Sequence, residues 1–398
     1  MIKTDSLQRI LNMHVPSCFG TAHHDTEASP PKTSSQRTHT FSLRRRSPPD
    51  LPQPAWLTRD AYMDIKALQH GSEAKAYVTK SIHTGRVYVV KRFSKYAVLN
   101  DESAAPPGEQ PLPNEAFVLL KVLNPHPNIL EAFGCDLFGK RFSNLYTAHC
   151  TGGDLLTQMQ HFCNINRTPP ERFVLHAFIS LAHALCYIHN GLRWDLGTKL
   201  YSQDSGFDQP FVHADLKLEN CFLHWSEEAM RRGLPNVILG DFGAAQPEAV
   251  FKGIAGTPGY QAPEIVAVYK LQQTDLEAFK VAMKTTGYMT LAADVWSLGQ
   301  TIHMLCTGRQ HLVVADPLTL PVRNTTHGMV GVKLGGRRGY DTAALQETVQ
   351  SCLAKDPLMR PKTKEGSLLG AIAIFQDALE KLESQSPKIP SKMWASPP

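Results

Sequence analysis

The chain has 398 residues, a formal net charge of +5, and 42% hydrophobic against 19% charged residues, enough to fill one large domain or two lobes with a real core. So slight a positive excess gives no reason to expect nucleic acid as a partner. Eight cysteines, none at C-x-x-C spacing, argue against a zinc site or a disulfide framework and fit buried thiols in a reducing compartment. Apolar runs such as AFVLLKVL (116–123) and LLGAIAIF (368–375) are too short to span a bilayer.

Residues 1–59 read as a disordered basic and Pro-rich tail. The first fifteen carry only a weak apolar stripe (Leu7, Ile10, Leu11), compatible with a transit peptide or a docking helix, though a frayed end is the simpler expectation. From about Pro16 the segment is rich in Ser, Thr, Pro, His and Arg and cannot bury enough apolar surface to offset ordering. SLRRRSPPDLPQP (42–54) reads as a solvated linker, with Ser47 a candidate phosphosite.

From Tyr62 β-branched and aromatic runs broken by Gly predict three antiparallel strands, with HTG (83–85) as a hairpin turn. NEAFVLLKVL (114–123) predicts a helix and SNLYTAH (143–149) another strand. After Gly153 the period becomes helical: Val174, Phe178, Leu181, Leu185 and Ile188 form one stripe, and Val295, Leu298, Ile302 and Leu305 repeat it. GSLLGAIAIFQDALEKLE (366–383) predicts a closing amphipathic helix, and 385–398 a flexible tail. Two stretches look inserted, near 191–210 and near 267–289, the second reading as an extra helix.

Within this frame HADLKLEN (213–220) places Asp215, Lys217 and Asn220 in one short loop, and DFG (241–243) follows a strand-like NVILG. Oxygen ligands flanking a strand suit Mg²⁺ on a polyphosphate, because hard cations take oxygen donors. Lys91 ends the strand VYVVK, and Glu115 opens the next helix in position to pair with it.

GSEAKAYV, VYVVK, Glu115, HPNIL, CTGGDL, HADLKLEN, DFG, GTPGYQAPE, DVWSLG and DPLMRP occur in this order. Together they resemble the eukaryotic protein kinase family over roughly residues 60–384. The resemblance implies an α+β bilobal fold, with a small antiparallel-sheet N-lobe (60–149) and a larger helical C-lobe (150–384). It also implies Ser/Thr-directed transfer of the ATP γ-phosphoryl group to a protein. Asp215 would accept or orient the proton of the attacking hydroxyl, Lys217 would balance phosphoryl charge, and Thr257 would bond both. Asn220 and Asp241 would hold Mg²⁺. Lys91, fixed by Glu115, would contact the ATP phosphates, and Gly71 opens the phosphate loop. Thr147 falls at the gatekeeper position, with Ala148, His149 and Cys150 as the hinge. Val78, Val89 and Phe222 would enclose adenine, and Asp154 would reach the ribose. His213 would pack beneath Phe242, Glu264 would pair with Arg360, and Glu219 would attract a basic substrate residue. Implied partners are a Ser/Thr protein substrate and a regulatory protein at the insertions or the N-terminal tail. The expected location is cytoplasmic, nuclear or both.

Two departures stand out. In GSEAKAYV, Glu73 and Ala76 replace the second and third glycines of the phosphate loop, so backbone N–H groups approach phosphate less closely. This leaves a catalytically weak pseudokinase scaffold as the alternative. Ala214 stands where relatives with arginine bind a phosphate in the activation segment, and no Ser, Thr or Tyr lies between Phe242 and Gly256. Activation by phosphorylation of that segment is therefore not expected. Small-molecule phosphotransferases of the same fold are disfavoured, because GTPGYQAPE and DVWSLG build a peptide platform.

Overall fold

The computed structural model describes residues 38–40, 61–70, 74–94, 112–138, 142–195, 197–308, 334, 340–385 and 388–397. Gly71 and Glu73 of the phosphate loop fall outside them.

The N-lobe is an antiparallel sheet in the order β2-β3-β4-β6-β5, edged by β1 (Thr38–Thr40), which pairs with Ala61–Met63. β2 (Ala61–His70), β3 (Ala74–Ser81) and β4 (Val87–Ser94) are the three expected strands. The HTG turn closes the β3–β4 hairpin, with Ser81 N–H donating to Arg86 O (2.8 Å) and Gly85 N–H to Ser81 O (3.0 Å). Strand alternation sorts the faces. Tyr88 and Val90 of β4 join Tyr62 and Tyr146 in a small cluster on one side, while Val89, Lys91 and Phe93 point the other way. α1 (Asn114–Phe117) continues into a π-helical turn, Val118–Val122, so the predicted helix forms but is short. β5 (Ala132–Phe138) and β6 (Phe142–Ala148) complete the sheet.

The C-lobe is built on α2 (Leu155–Asn164) and α3 (Glu171–Asn190). α3 is the one helix among the described residues long and apolar enough to cross a membrane, and 94% of that window is buried inside the fold. Its surroundings explain why both its faces are apolar. The first insertion forms a hairpin, β7 (Leu192–Asp195) and β8 (Leu200–Gln203), folded back on α3. The loop that carries Asp215, Lys217 and Asn220 lies between β9 (Phe211–Val212) and β10 (Cys221–His224). After α4 (Glu227–Arg232), β11 (Asn236–Leu239) pairs with β10, and β12 (Gln246–Pro247) pairs with β9. The second insertion spans the end of α5 (Pro263–Thr274) and the whole of α6 (Leu276–Ala282). α7 (Leu291–Thr307), α8 (Ala343–Cys352) and α9 (Ser367–Gln385) close the lobe; α7 and α9 pack on α3, and α8 on α7 and α9. The described cysteines are all free thiols.

The chain end corrects the expectation of a flexible tail. Residues 388–397 lie against the C-lobe, with Trp394 only 4% exposed. Its ring meets Phe173 edge-on (centroids 5.1 Å apart) and Trp225 (5.4 Å). Gln158 grips the backbone on both sides of it, donating to Met393 O (2.8 Å) and accepting from Ala395 N–H (2.9 Å). Trp225 Nε1–H donates to Ser396 O (2.8 Å).

Candidate active site

The sheet and the loop after β9 bring together residues far apart in the chain. Cross-strand register aligns Val78 with Val89, and Val89 with Thr147, so these three share one face with Lys91, paired with Ala76 across the same strands. A base on this face would meet Val78 and Val89. Thr147 is buried, and its hydroxyl donates weakly to Val89 O (3.4 Å). Ala148 N–H is held by Glu131 O (2.9 Å), so any bond from Ala148 to a base runs through its carbonyl. Phe222 lies below, on β10, joined by a bridge to Asp154. Gly240 explains how Phe222 fits: a Cβ there would come within 2.6 Å of the Phe222 ring. Asp154 caps α2, accepting from Thr157 N–H (2.7 Å).

Deeper in, Lys91 Nζ is 2.7 Å from Glu115 Oε2 and 2.9 Å from Asp241 Oδ1. Burial works against the Lys91 ammonium, but the two carboxylates outweigh it and raise its pKa above the ordinary lysine value. Burial likewise opposes the Asp241 carboxylate, and Lys91 overcomes that and holds its pKa below the ordinary value. Both groups are charged at neutral pH. Asp241 adopts the left-handed region (φ 60°), rare for a non-glycine residue and costly unless the surroundings impose it. Phe242, next in line, is buried edge-on against His213 (4.8 Å between centroids), so His213 is structural as expected.

The loop between β9 and β10 makes a second cluster. Lys217 Nζ donates to Asp215 Oδ2 (2.8 Å) and to Thr257 Oγ1 (2.7 Å), and Thr257 donates to Asp215 Oδ1 (2.7 Å). Asn220 Nδ2 donates to Asp215 O (2.8 Å) and Oδ2 (3.2 Å), leaving its side-chain oxygen as the atom able to bind a cation. That oxygen, with the Asp241 carboxylate, is a hard donor pair of the kind Mg²⁺ shares with phosphates, so the residues present fit the ion. Glu219 accepts from Tyr260 Oη (3.1 Å). Arg360 and Glu264 form the expected pair, two parallel bonds of 2.7 Å each, with the Arg360 side chain 0% exposed.

Two positioning residues escaped the sequence reading. Asp294, at the start of α7, is 1% exposed and accepts from His213 N–H (2.6 Å), Ala214 N–H (2.9 Å) and His189 Nε2 (3.0 Å). It fixes the loop just before Asp215, where Ala214 sits at φ 67°. An acid on a buried helix face was the available signal, because such a charge must find donors. Asn114 donates to Gly243 O (2.9 Å) and Ala245 O (2.8 Å), tying α1 to the segment after Asp241. Nothing in its local sequence marks it.

The protein kinase domain family matches residues 62–367, and the chain belongs to that family. Among curated proteins it is similar to the G2-specific protein kinase nim-1 of Neurospora crassa, 28% identical over 279 residues, which is 67% of this chain and 29% of that protein. It is also similar to the meiosis-specific serine/threonine-protein kinase MEK1 of Saccharomyces cerevisiae (26% over 279 residues; 67% and 49%). The G2-specific protein kinase fin1 of Schizosaccharomyces pombe is 24% identical over 338 residues (82% and 40%). The chain thus spans less than half the length of each of these relatives.

Proposed function

We propose that this chain is a serine/threonine-directed protein kinase whose activity does not require phosphorylation of its activation segment. The observation that carries the proposal is the Asp215–Lys217–Thr257 triangle, closed by three bonds of 2.7–2.8 Å, beside a Lys91 held by Glu115 and Asp241. Asp215 takes the proton of a substrate hydroxyl as its oxygen attacks the γ-phosphorus of ATP. The bond from that phosphorus to the β–γ bridging oxygen breaks, and ADP leaves. Lys217 and Lys91 supply positive charge where negative charge gathers, which is most of what this reaction asks of a protein. Mg²⁺ bound by Asn220 and Asp241 would neutralise phosphate oxygens.

Lys217 and Thr257 support hydroxyl donors of the Ser/Thr class. The independence from phosphorylation rests on Ala214, which carries no cation, and on a segment without hydroxyls between Phe242 and Gly256. The test is transfer of radiolabel from ATP to a Ser/Thr peptide library by phosphatase-treated protein. Asp215→Asn is expected to lower kcat by roughly 10²–10⁴-fold. Equal background in wild type and variant would refute the assignment and favour the scaffold alternative. Activity that depends on phospho-Thr257 would refute the regulatory half.

A further inference from the structure

An activation segment with no Ser, Thr or Tyr between Phe242 and Gly256 still needs something to hold it there, and the second insertion is in contact with it. Between β12 and Thr257 the segment buries Phe251 and Ile254. Gly253 N–H donates to Thr285 O (2.9 Å), and Lys252 forms an antiparallel bridge with Thr286. Thr285 belongs to the turn that ends α6, where its own N–H donates to Ala282 O (3.0 Å). Asp275 fixes the other end of α6 by accepting from Ala278 N–H (2.9 Å). The approach is close: Gly253 sits at φ +73°, and a Cβ on it would stand 2.9 Å from Met283 O. On either side Glu248 Oε1 accepts from Leu291 N–H (2.9 Å), and Gln261 Nε2 donates to Ala255 O (3.2 Å) and Gly256 O (2.7 Å).

We infer that residues 275–286 are an intramolecular brace that holds the activation segment in its working position, in the role that a phosphate bound by arginine has elsewhere. Gly253 is a positioning residue. It acts through Ala255 and Gly256 on Thr257, whose hydroxyl bonds Asp215 and Lys217. The inference rests on the proposed kinase activity for its catalytic consequence but not for the contact itself.

The test uses the full chain. Gly253→Ala introduces both an unfavourable φ and a collision with Met283 O, so amides 251–256 are expected to exchange faster. kcat is expected to fall about 10- to 100-fold, the scale of a small misplacement of catalytic groups, with KM for ATP unchanged. Lys252→Cys/Thr286→Cys joins the same two strands by a disulfide when oxidised. Added to Gly253→Ala it is expected to restore kcat under oxidation and lose it again on reduction. In the otherwise wild-type chain, oxidation is expected to leave kcat intact. That second arm decides the matter if Gly253→Ala does not fold. Faster exchange in Gly253→Ala with wild-type kcat, or an oxidised double-cysteine protein that is inactive, would overturn the inference. If wild type and Asp215→Asn are equally inactive, the kinase assignment fails by itself. Exchange then judges the brace: amides 251–256 protected in wild type support it, and free-peptide rates overturn it.

Discussion

Replacing Trp394 by alanine tests whether the chain end is a structural part of the C-lobe. A buried tryptophan withdraws on the order of 200 Å² from water, worth about 5 kcal/mol at 25 cal/mol per Å². Mutational costs for Trp→Ala run about 3–5 kcal/mol. The segment is terminal, however, so residues 388–397 can peel away instead of leaving a cavity. The loss is then capped by the free energy of docking, which places the expected cost near the low end, about 3 kcal/mol. Trp394→Ala and a truncation after 387 should therefore cost nearly the same. At about 2–4 °C per kcal/mol, both should melt roughly 6–12 °C below wild type, while Trp394→Phe, which keeps an edge for Phe173 and Trp225, should fall between. Thermal unfolding followed by circular dichroism reads this directly. Variants melting within about 2 °C of wild type would refute the docking of the chain end.

Glu264→Ala strands the fully buried Arg360 cation and is expected to cost about 3 kcal/mol, the lower part of the range for a broken buried pair because Glu264 is partly exposed; urea unfolding measures it. His176 and His183 are held neutral by burial, which lowers both pKa values to about 4. Between 6.5 and about 4 the unfolded chain binds protons that the folded chain refuses, so stability should fall as pH drops through that window, by up to about 1.4 kcal/mol per unit for each group. Denaturation at pH 7, 5.5 and 4.5 checks the direction, and His176→Gln should reduce the slope. Thr147→Met enlarges a small buried side chain on the face that would meet a base and is expected to weaken bulky ATP-competitive inhibitors by about tenfold or more through overpacking, read as a rise in inhibitory concentration at fixed ATP.

The polar residues of the candidate site were legible because each is a charged, amide or hydroxyl side chain in a short motif, and the motifs fall in a fixed order. The pairing of Lys91 with Glu115, and of Thr257 with Asp215 and Lys217, follows from the resemblance those motifs carry, whereas the contact of Lys91 with Asp241 does not. What escaped depends on partners distant in sequence. Trp394 lies in a stretch of Ser, Pro and Lys whose composition reads as unstructured, and only Phe173, Trp225 and Gln158, at least 169 residues away in number, give it a place. The pairing of Gly253 with Thr285 is a backbone contact that no side chain announces. Asp294 was visible as an acid in an apolar helix, but the donors it serves lie on another loop. The first insertion showed itself only as extra length; its strands became clear once Leu192–Asp195 and Leu200–Gln203 were seen paired.

That hairpin also reaches the loop after α1. Arg193 donates to Pro125 O (2.5 Å) and to Asp204 (2.7 Å), Asp204 accepts from Asn124, and Tyr187 accepts from Asn124 N–H (2.9 Å). Covalent linkage at Ala148–Cys150 is therefore far from the sole join between the lobes: this grip on Asn124 and Pro125 adds to the ties that Asn114 makes to Gly243 O and Ala245 O and that Lys91 makes to Asp241. Each added tie narrows the relative motion open to the two lobes, and the first insertion supplies one of them.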